Sequence, residues 1–171
     1  MPIPTWLTRL PLVAGKRTVI IDNNVFSAYL FRTPVPDDVR WVFDDPTIRV
    51  QCGRQTIDEA LNHPELDVAR RRRAWEQLER LQASGKLYLS GTTQMTREMS
   101  ELYSALAKQL AAANLSTADG RVFADAIVKR VPLFTLDKRA KDALARALNN
   151  QLVKQFLKAH SLPATVAEIV V

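Results

Sequence analysis

The sequence is poor in the residues on which several classes of site depend. Among its 171 residues Cys52 is the sole cysteine, which excludes an intrachain disulfide and a cysteine-based zinc site. The two histidines, His63 and His160, are too few for a histidine-rich metal site. Neither lies in a motif that indicates a serine or cysteine triad. We interpret both as solvent-facing residues near helix ends.

Long apolar runs are missing as well. No stretch approaches the length of a membrane-spanning helix, and the proline-containing residues 1–16 do not resemble a signal peptide. We therefore expect no membrane association and a cytoplasmic protein. The length fits one domain with a full hydrophobic core. We expect residues 1–17 to form an N-terminal arm and residues 18–171 to form a single domain.

What the chain has in excess is positive charge. Its formal net charge is +6 at neutral pH. A basic balance favours polyanionic partners, above all nucleic acid, although many basic proteins bind none.

Short β-branched stretches alternate with helical patterns along the whole chain. Strands are predicted at residues 18–21, 47–52, 86–89, 131–136 and 165–171. Helices are predicted at residues 23–31, 39–43, 65–82, 95–110, 138–148 and 151–159, with two more beginning at Thr56 and Ser116. This alternation predicts an α/β fold, with three α/β/α layers and a mostly parallel central sheet.

Four acidic residues, Asp22, Glu59, Asp119 and Asp137, each lie where a predicted strand or loop leads into a helix. Ligands of open parallel sheets collect outside the carboxyl ends of the strands, so these carboxylates are predicted to share a site. Gathered carboxylates repel one another unless a cation neutralises them. Hard oxygen ligands suit Mg²⁺ or Mn²⁺. The hypothesis is a metal-dependent active site.

Each acid also has a structural interpretation as a helix cap. Thr56 and Glu59 have the spacing of a capping box, and Ser116 and Asp119 share that spacing. Asp22 and Asp137 are suited to cap the helices that follow them. The two interpretations are compatible, because the positive end of a helix favours the ionised carboxylate that a metal requires.

Taken in order, four short motifs resemble those of the PIN-domain nucleases, particularly the toxin-type members. They are residues 19–26 (VIIDNNVF), 55–60 (QTIDEA), 119–126 (DGRVFADA) and 133–137 (LFTLD). The resemblance implies a PIN-like fold and a metal-dependent endoribonuclease. It also implies a toxin of a toxin–antitoxin or effector–immunity system, and leaves open a cognate inhibitor protein and a homodimer.

Within that hypothesis the four acids hold Mg²⁺ or Mn²⁺ and carry out catalysis on RNA. Asn24 and Thr135 are expected to orient carboxylates or bind water, although turn and strand roles would suit them equally. Basic residues expected to bind the RNA backbone are Arg70, Arg71, Arg73, Lys138 and Arg139. The arginines could instead form a solvated helix face balanced by nearby acids.

Two other functions fit the same sequence. A PIN-like module could bind RNA or a protein partner without cutting it. A phosphatase with an aspartate nucleophile is the second alternative, but Asp22 lacks the second aspartate two positions later that such a motif requires.

Overall fold

The computed structural model describes residues 6, 9–89 and 96–163; the predicted strand at residues 165–171 lies outside them. The chain divides into two compact units, Met1–Ser90 and Gly91–Val171. The protein is of the α/β class with a mixed, mostly parallel sheet, which confirms the predicted class. The three-layer PIN-like arrangement and the single-domain organisation stay predictions.

The first unit carries the sheet and the helices that connect its strands. Its strands are β1 (Leu12–Val13), β2 (Lys16–Ile21), β3 (Ile48–Cys52) and β4 (Leu87–Leu89). Its helices include α1 (Asn23–Phe31), α2 (Asp37–Asp44), α3 (Arg54–Leu61) and α4 (Val68–Ala83). The four strands lie in the order β1-β2-β3-β4. Strand β1 is antiparallel to β2, whereas β2, β3 and β4 run parallel to one another.

A hairpin that the sequence analysis did not predict joins β1 to β2. Leu12 pairs with Arg17 and Val13 pairs with Lys16, so Ala14 and Gly15 form a two-residue loop. Both have positive φ angles, 51° and 77°, as the type I′ turns of tight hairpins require. The described end of the expected N-terminal arm therefore belongs to the sheet.

Strands β2 and β3 form the centre of this unit's core. The side chains of Val19, Ile20 and Ile21 are buried, as are those of Ile48 and Val50. Burial on both faces explains why these strands read as near-continuous apolar runs. Because β2 and β3 are parallel neighbours, their carboxyl ends lie at the same edge of the sheet. Helices α1 and α3, which follow these strands, therefore begin at that edge.

Several helices begin at other residues than predicted; α2 begins at Asp37, where residue 39 was predicted, and the helix predicted at residues 95–110 begins at Arg97. Helix α3 begins at Arg54 after Gly53, so Thr56 is buried inside its first turn and is not a cap. The predicted capping box of Thr56 and Glu59 is therefore wrong. Helix α4 begins later than predicted, because the carboxylate of Asp67 caps it by accepting a hydrogen bond from the Arg70 amide at 2.7 Å.

A buried lysine connects the beginning of β4 to the turn before β3. The ammonium group of Lys86 donates hydrogen bonds to the backbone carbonyls of Asp45 and Ile48. Burial lowers the pKa of Lys86 to about 8, although the nearby Asp45 opposes this shift. Burial would raise the pKa of Asp45, but hydrogen bonds from Thr47 and the charge of Lys86 outweigh it and lower that pKa.

The second unit is mainly helical. Its described elements are α5 (Arg97–Ala112), α6 (Thr117–Lys129), β5 (Leu133–Phe134), α7 (Lys138–Leu148) and α8 (Gln151–Ala159). Helix α5 packs extensively against α6. The two helices approach each other at Gly120, where a Cβ atom would lie 3.4 Å from the Ala107 carbonyl oxygen. The strand predicted at 131–136 is reduced to two residues.

In the described parts of the chain, no helix combines the length and the apolar character needed to cross a lipid bilayer.

Candidate functional site

Asp22 lies at the carboxyl end of β2 and caps α1, as the sequence predicts. Its Oδ1 atom accepts a hydrogen bond from the Asn24 backbone amide at 3.1 Å, and its Oδ2 atom accepts one from Asn24 Nδ2 at 2.9 Å. A single neighbour therefore orients both oxygens of the half-buried carboxylate. This is the geometry in which an outer residue positions a metal-binding carboxylate.

A residue that the sequence analysis missed, Gln51, lies on the adjacent strand. Gln51 pairs with Ile20 in the register of β2 and β3, and paired residues of parallel strands point to the same face. Asp22 has an extended backbone, so it continues the alternation of Ile20 about 7 Å further along the strand. Asp22 and Gln51 are thus placed on one face, near one edge of the sheet.

The side-chain oxygen of Gln51 is buried and accepts no hydrogen bond from the described residues. Gln51 itself is only 7% exposed. A buried acceptor without a partner is costly, and in native proteins it usually indicates an ordered water, an ion or a functional role. The only signal in the sequence was a polar residue within an otherwise apolar strand, and that pattern does not specify a role.

Glu59 lies in the second turn of α3, and α3 packs against α1 within the first unit. Its Oε1 atom accepts a hydrogen bond from Gln55 Nε2 at 2.7 Å. The neighbouring acid, Asp58, is more exposed and lies 3.8 Å from the guanidinium group of Arg54. Glu59 is therefore the better candidate ligand of the two.

In the second unit, Asp119 lies in the first turn of α6. Half of the predicted capping box is confirmed: Ser116 Oγ accepts a hydrogen bond from the Asp119 amide at 3.0 Å, but the Asp119 carboxylate does not bond back to the Ser116 amide. The Asp119 side chain is half-buried, and within the described residues its carboxylate has no hydrogen-bond or ion-pair partner. Both oxygens are available to an external ligand.

Asp137 caps α7, as predicted. Its Oδ1 atom accepts hydrogen bonds from the amides of Arg139 at 2.8 Å and Ala140 at 3.1 Å. The Asp137 amide in turn donates to Oγ1 of Thr135 at 3.1 Å. Thr135 is fully buried, so it fixes the backbone that presents the exposed carboxylate.

The four predicted acids are divided in pairs, Asp22 and Glu59 in the first unit and Asp119 and Asp137 in the second. Among residues 6, 9–89 and 96–163, no three Asp, Glu, His or Cys side chains lie close enough together to hold a metal ion. Mg²⁺ does not require such a group, because it keeps several waters and is usually bound by one or two carboxylates together with substrate phosphates.

The predicted RNA-binding arginines differ in their contacts. The guanidinium group of Arg71 donates to the backbone carbonyls of Leu61 at 2.9 Å and Leu66 at 3.4 Å, so it connects α4 to the end of α3. Arg70 and Arg73 are exposed on α4, and Arg70 lies over the ring of Phe31 at 5.9 Å. Arg70 and Arg73 are therefore freer to contact a substrate than Arg71.

The remaining basic candidates, Lys138 and Arg139, are exposed in the first turn of α7. They directly follow Asp137, so they present positive charge beside one of the candidate metal ligands.

No model of a protein family matches the sequence of this chain, and no curated protein matches it either.

Proposed function

We propose that the protein is a metal-dependent endoribonuclease that hydrolyses phosphodiester bonds of RNA. Asp22, Glu59, Asp119 and Asp137 bind Mg²⁺ or Mn²⁺ directly or through water. One observation carries the proposal: the Asp22 carboxylate, at the carboxyl end of a buried parallel strand, is held by Asn24 through both of its oxygens.

The donor set fits a hard divalent cation. Asp119 and Asp137 retain carboxylate oxygens without a partner among the described residues, and so does Glu59. The buried oxygen of Gln51 adds an unused acceptor on the face of the sheet that carries Asp22. Oxygen ligands of this kind prefer Mg²⁺ or Mn²⁺. When bound, such ions activate water and neutralise phosphate charge.

The protein's own groups supply orientation and charge. Asn24 holds the Asp22 carboxylate in one rotamer, and Thr135 holds the backbone at Asp137. Exposed basic residues, among them Lys138 and Arg139, attract the RNA backbone. The net charge of +6 makes that attraction sensitive to salt.

The resemblance to toxin-type PIN nucleases supports a more specific proposal. The chain is a single PIN-like domain with three layers, it acts on RNA in the cytoplasm, and a cognate antitoxin or immunity protein inhibits it. Expression of the protein should arrest growth, and the Asp22→Asn variant should not.

The decisive experiment measures cleavage of a defined RNA panel with Mg²⁺, with Mn²⁺ and with a chelator. Asp22→Asn and Asp119→Asn should each abolish cleavage. Asparagine is as good a helix cap as aspartate, so the Asp22 variant should remain folded, and thermal unfolding checks this for both. Metal-dependent cleavage that survives both substitutions would refute the metal assignment.

A matched pair on α3 tests the assignment further. Glu59→Gln should abolish cleavage. Asp58→Asn makes the same chemical change on the exposed neighbour, so it should leave cleavage nearly unchanged and alter stability by no more than about 0.5 kcal/mol. RNA binding without cleavage would indicate the non-catalytic module instead. Turnover of small phosphate esters with intact RNA would indicate a phosphatase.

A further inference from the structure

A cavity of about 680 Å³ lies in the first unit between α1 and α4. Tyr29 of α1 lines one side of it, and residues of α4 line the other. The α4 residues include Arg73, Glu76, Gln77 and Arg80. We refer to this cavity as the α1–α4 groove.

The α4 side of the groove is one continuous helix face. Arg73, Gln77 and Arg80 are spaced by four and three residues, which places them one above another. Ala74 and Leu78, on the adjoining face, are buried and hold α4 against the rest of the unit. The groove is therefore built on a fixed helix, and its arginines project from a rigid base.

The groove carries uncompensated positive charge. In the described part of the chain, neither Arg73 nor Arg80 has a carboxylate within ion-pair distance. Glu76, the acid among the lining residues, forms its ion pair with Arg72 at 3.3 Å and not with Arg73 or Arg80. Arg73 and Arg80 are seven residues apart, so they are separated by about 10 Å along the helix. That separation allows them to contact different phosphates of one strand.

One aromatic side chain, that of Tyr29, lines the opposite wall. Tyr29 stacks on Phe43, with ring centroids 3.9 Å apart and an angle of 8° between the planes. The buried Phe43 thus holds the Tyr29 ring in one orientation beside the groove. Arg70 lies over the ring of Phe31, the last residue of α1. Arginines that follow a backbone, next to aromatic rings on which bases stack, are the elements that bind single-stranded nucleic acid.

We propose that the α1–α4 groove is a binding subsite for single-stranded RNA. Arg73 and Arg80 contact successive parts of the phosphate backbone, Gln77 offers its amide to a base or a sugar, and a base packs against Tyr29. A duplex cannot use this site, because its base faces are stacked inside the helix. The choice of RNA rests on the proposed function; the binding chemistry rests on the groove.

The test measures equilibrium binding of a short fluorescent single-stranded RNA to the full chain in chelator, so that cleavage does not interfere. The Arg73→Gln/Arg80→Gln variant should bind about tenfold more weakly at low salt. Its slope of log affinity against log salt should be smaller by about 1.4, the loss of two phosphate contacts. The matched control, Arg54→Gln/Arg97→Gln, removes the same charge from two other exposed helix positions and should bind nearly as well as the wild type.

Tyr29 provides a second, independent measurement. Tyr29→Leu should weaken binding about fivefold or more, the effect of losing one base stack, whereas Tyr29→Phe keeps the ring and should bind like the wild type. The subsite would be overturned if the two double-arginine variants lost equal affinity for single-stranded RNA. It would also be overturned if the wild type bound duplex RNA as tightly as the single strand. If the wild type cleaves RNA but the groove variants bind normally, the subsite fails and the nuclease stands. If the groove variants lose binding but neither they nor the wild type cleave RNA, the subsite stands and the nuclease proposal fails.

Discussion

Asn24 donates one hydrogen bond to each oxygen of the Asp22 carboxylate, from its backbone amide at 3.1 Å and from its side-chain amide at 2.9 Å. The backbone bond is an ordinary helix cap. The side-chain bond is not needed to cap the helix, but it restricts rotation of the carboxylate. A group that must present its oxygens in one direction benefits from such a restraint.

Replacing Asn24 with alanine should weaken metal-dependent cleavage about 10- to 100-fold, the usual cost of removing a residue that orients a metal ligand. The loss should appear as a higher Mn²⁺ concentration needed for half-maximal cleavage. Asn23→Ala is the control, because the Asn23 side chain bonds to Ser27 at 2.9 Å and not to Asp22. Equal effects of the two substitutions would contradict a positioning role for Asn24.

Two substitutions of Asp137 distinguish its role as a helix cap from the role of its negative charge. Asp137→Ala should lower the free energy of unfolding by about 1 kcal/mol, because α7 loses its cap. Asp137→Asn should retain that stability, because an asparagine oxygen can accept the same two amide hydrogen bonds. If Asp137 binds a metal ion, both variants should lose cleavage. Cleavage retained by Asp137→Asn would show that the residue is a cap alone; chemical denaturation and the RNA assay supply the two readouts.

The hydroxyl group of Thr135 should contribute to stability, because it accepts the hydrogen bond from the Asp137 amide. Thr135→Val removes the acceptor of the Asp137 amide in a fully buried position and should cost about 1–3 kcal/mol of stability. Thr135→Ser keeps the hydroxyl, so it should lose less stability and retain cleavage. Denaturant unfolding of both variants checks the first expectation. A serine variant as impaired as the valine variant would show that the methyl group, and not the hydrogen bond, is important.

The lowered pKa of Lys86 predicts that the stability of the protein rises with pH. Its pKa is lowered to about 8 in the folded protein, from 10.5, so between these values the unfolded chain binds more protons than the folded one. Stability should therefore increase as the pH rises from about 8 to about 10.5, by roughly 3 kcal/mol at most, and Lys86 should contribute no pH dependence below that range.

The control for this prediction is Lys86→Met, which removes the titrating group and leaves all others in place. The difference in the free energy of unfolding between wild type and variant should grow in favour of the wild type across the same pH range. A difference that does not change with pH would show that Lys86 titrates normally in the folded protein.

Local features of the fold were predictable because they depend on neighbouring residues. Helices α1, α7 and α8 each begin after a side chain that caps them, Asp22, Asp137 or Asn150, and the structure has their boundaries at the predicted residues. The beginning of α3 was not predictable in this way. Thr56 resembled a cap, but the helix begins after Gly53 and the Thr56 side chain is buried within its first turn.

The candidate site likewise has features that the sequence predicts and features that only the tertiary structure shows. The positions of Asp22 and Asp137 at helix beginnings could be read from the chain, since a cap and its helix are adjacent in sequence. The placement of Gln51 beside Asp22, with a side-chain oxygen that has no partner among the described residues, could not be read in this way, because it depends on the register between β2 and β3. Nor could the contrast between Arg71, which binds two backbone carbonyls, and Arg73, which remains exposed.

The amino-acid sequence alone determined the α/β class, most helix and strand positions, the helix-capping acids and the basic charge, because periodicity, capping and composition act over short distances. Tertiary structure decided which polar groups are left without partners and which arginines are available to a ligand. It also decided that Tyr29 and the outer face of α4 enclose a groove. Those properties arise from contacts between residues far apart in the chain, so no single segment of the sequence determines them.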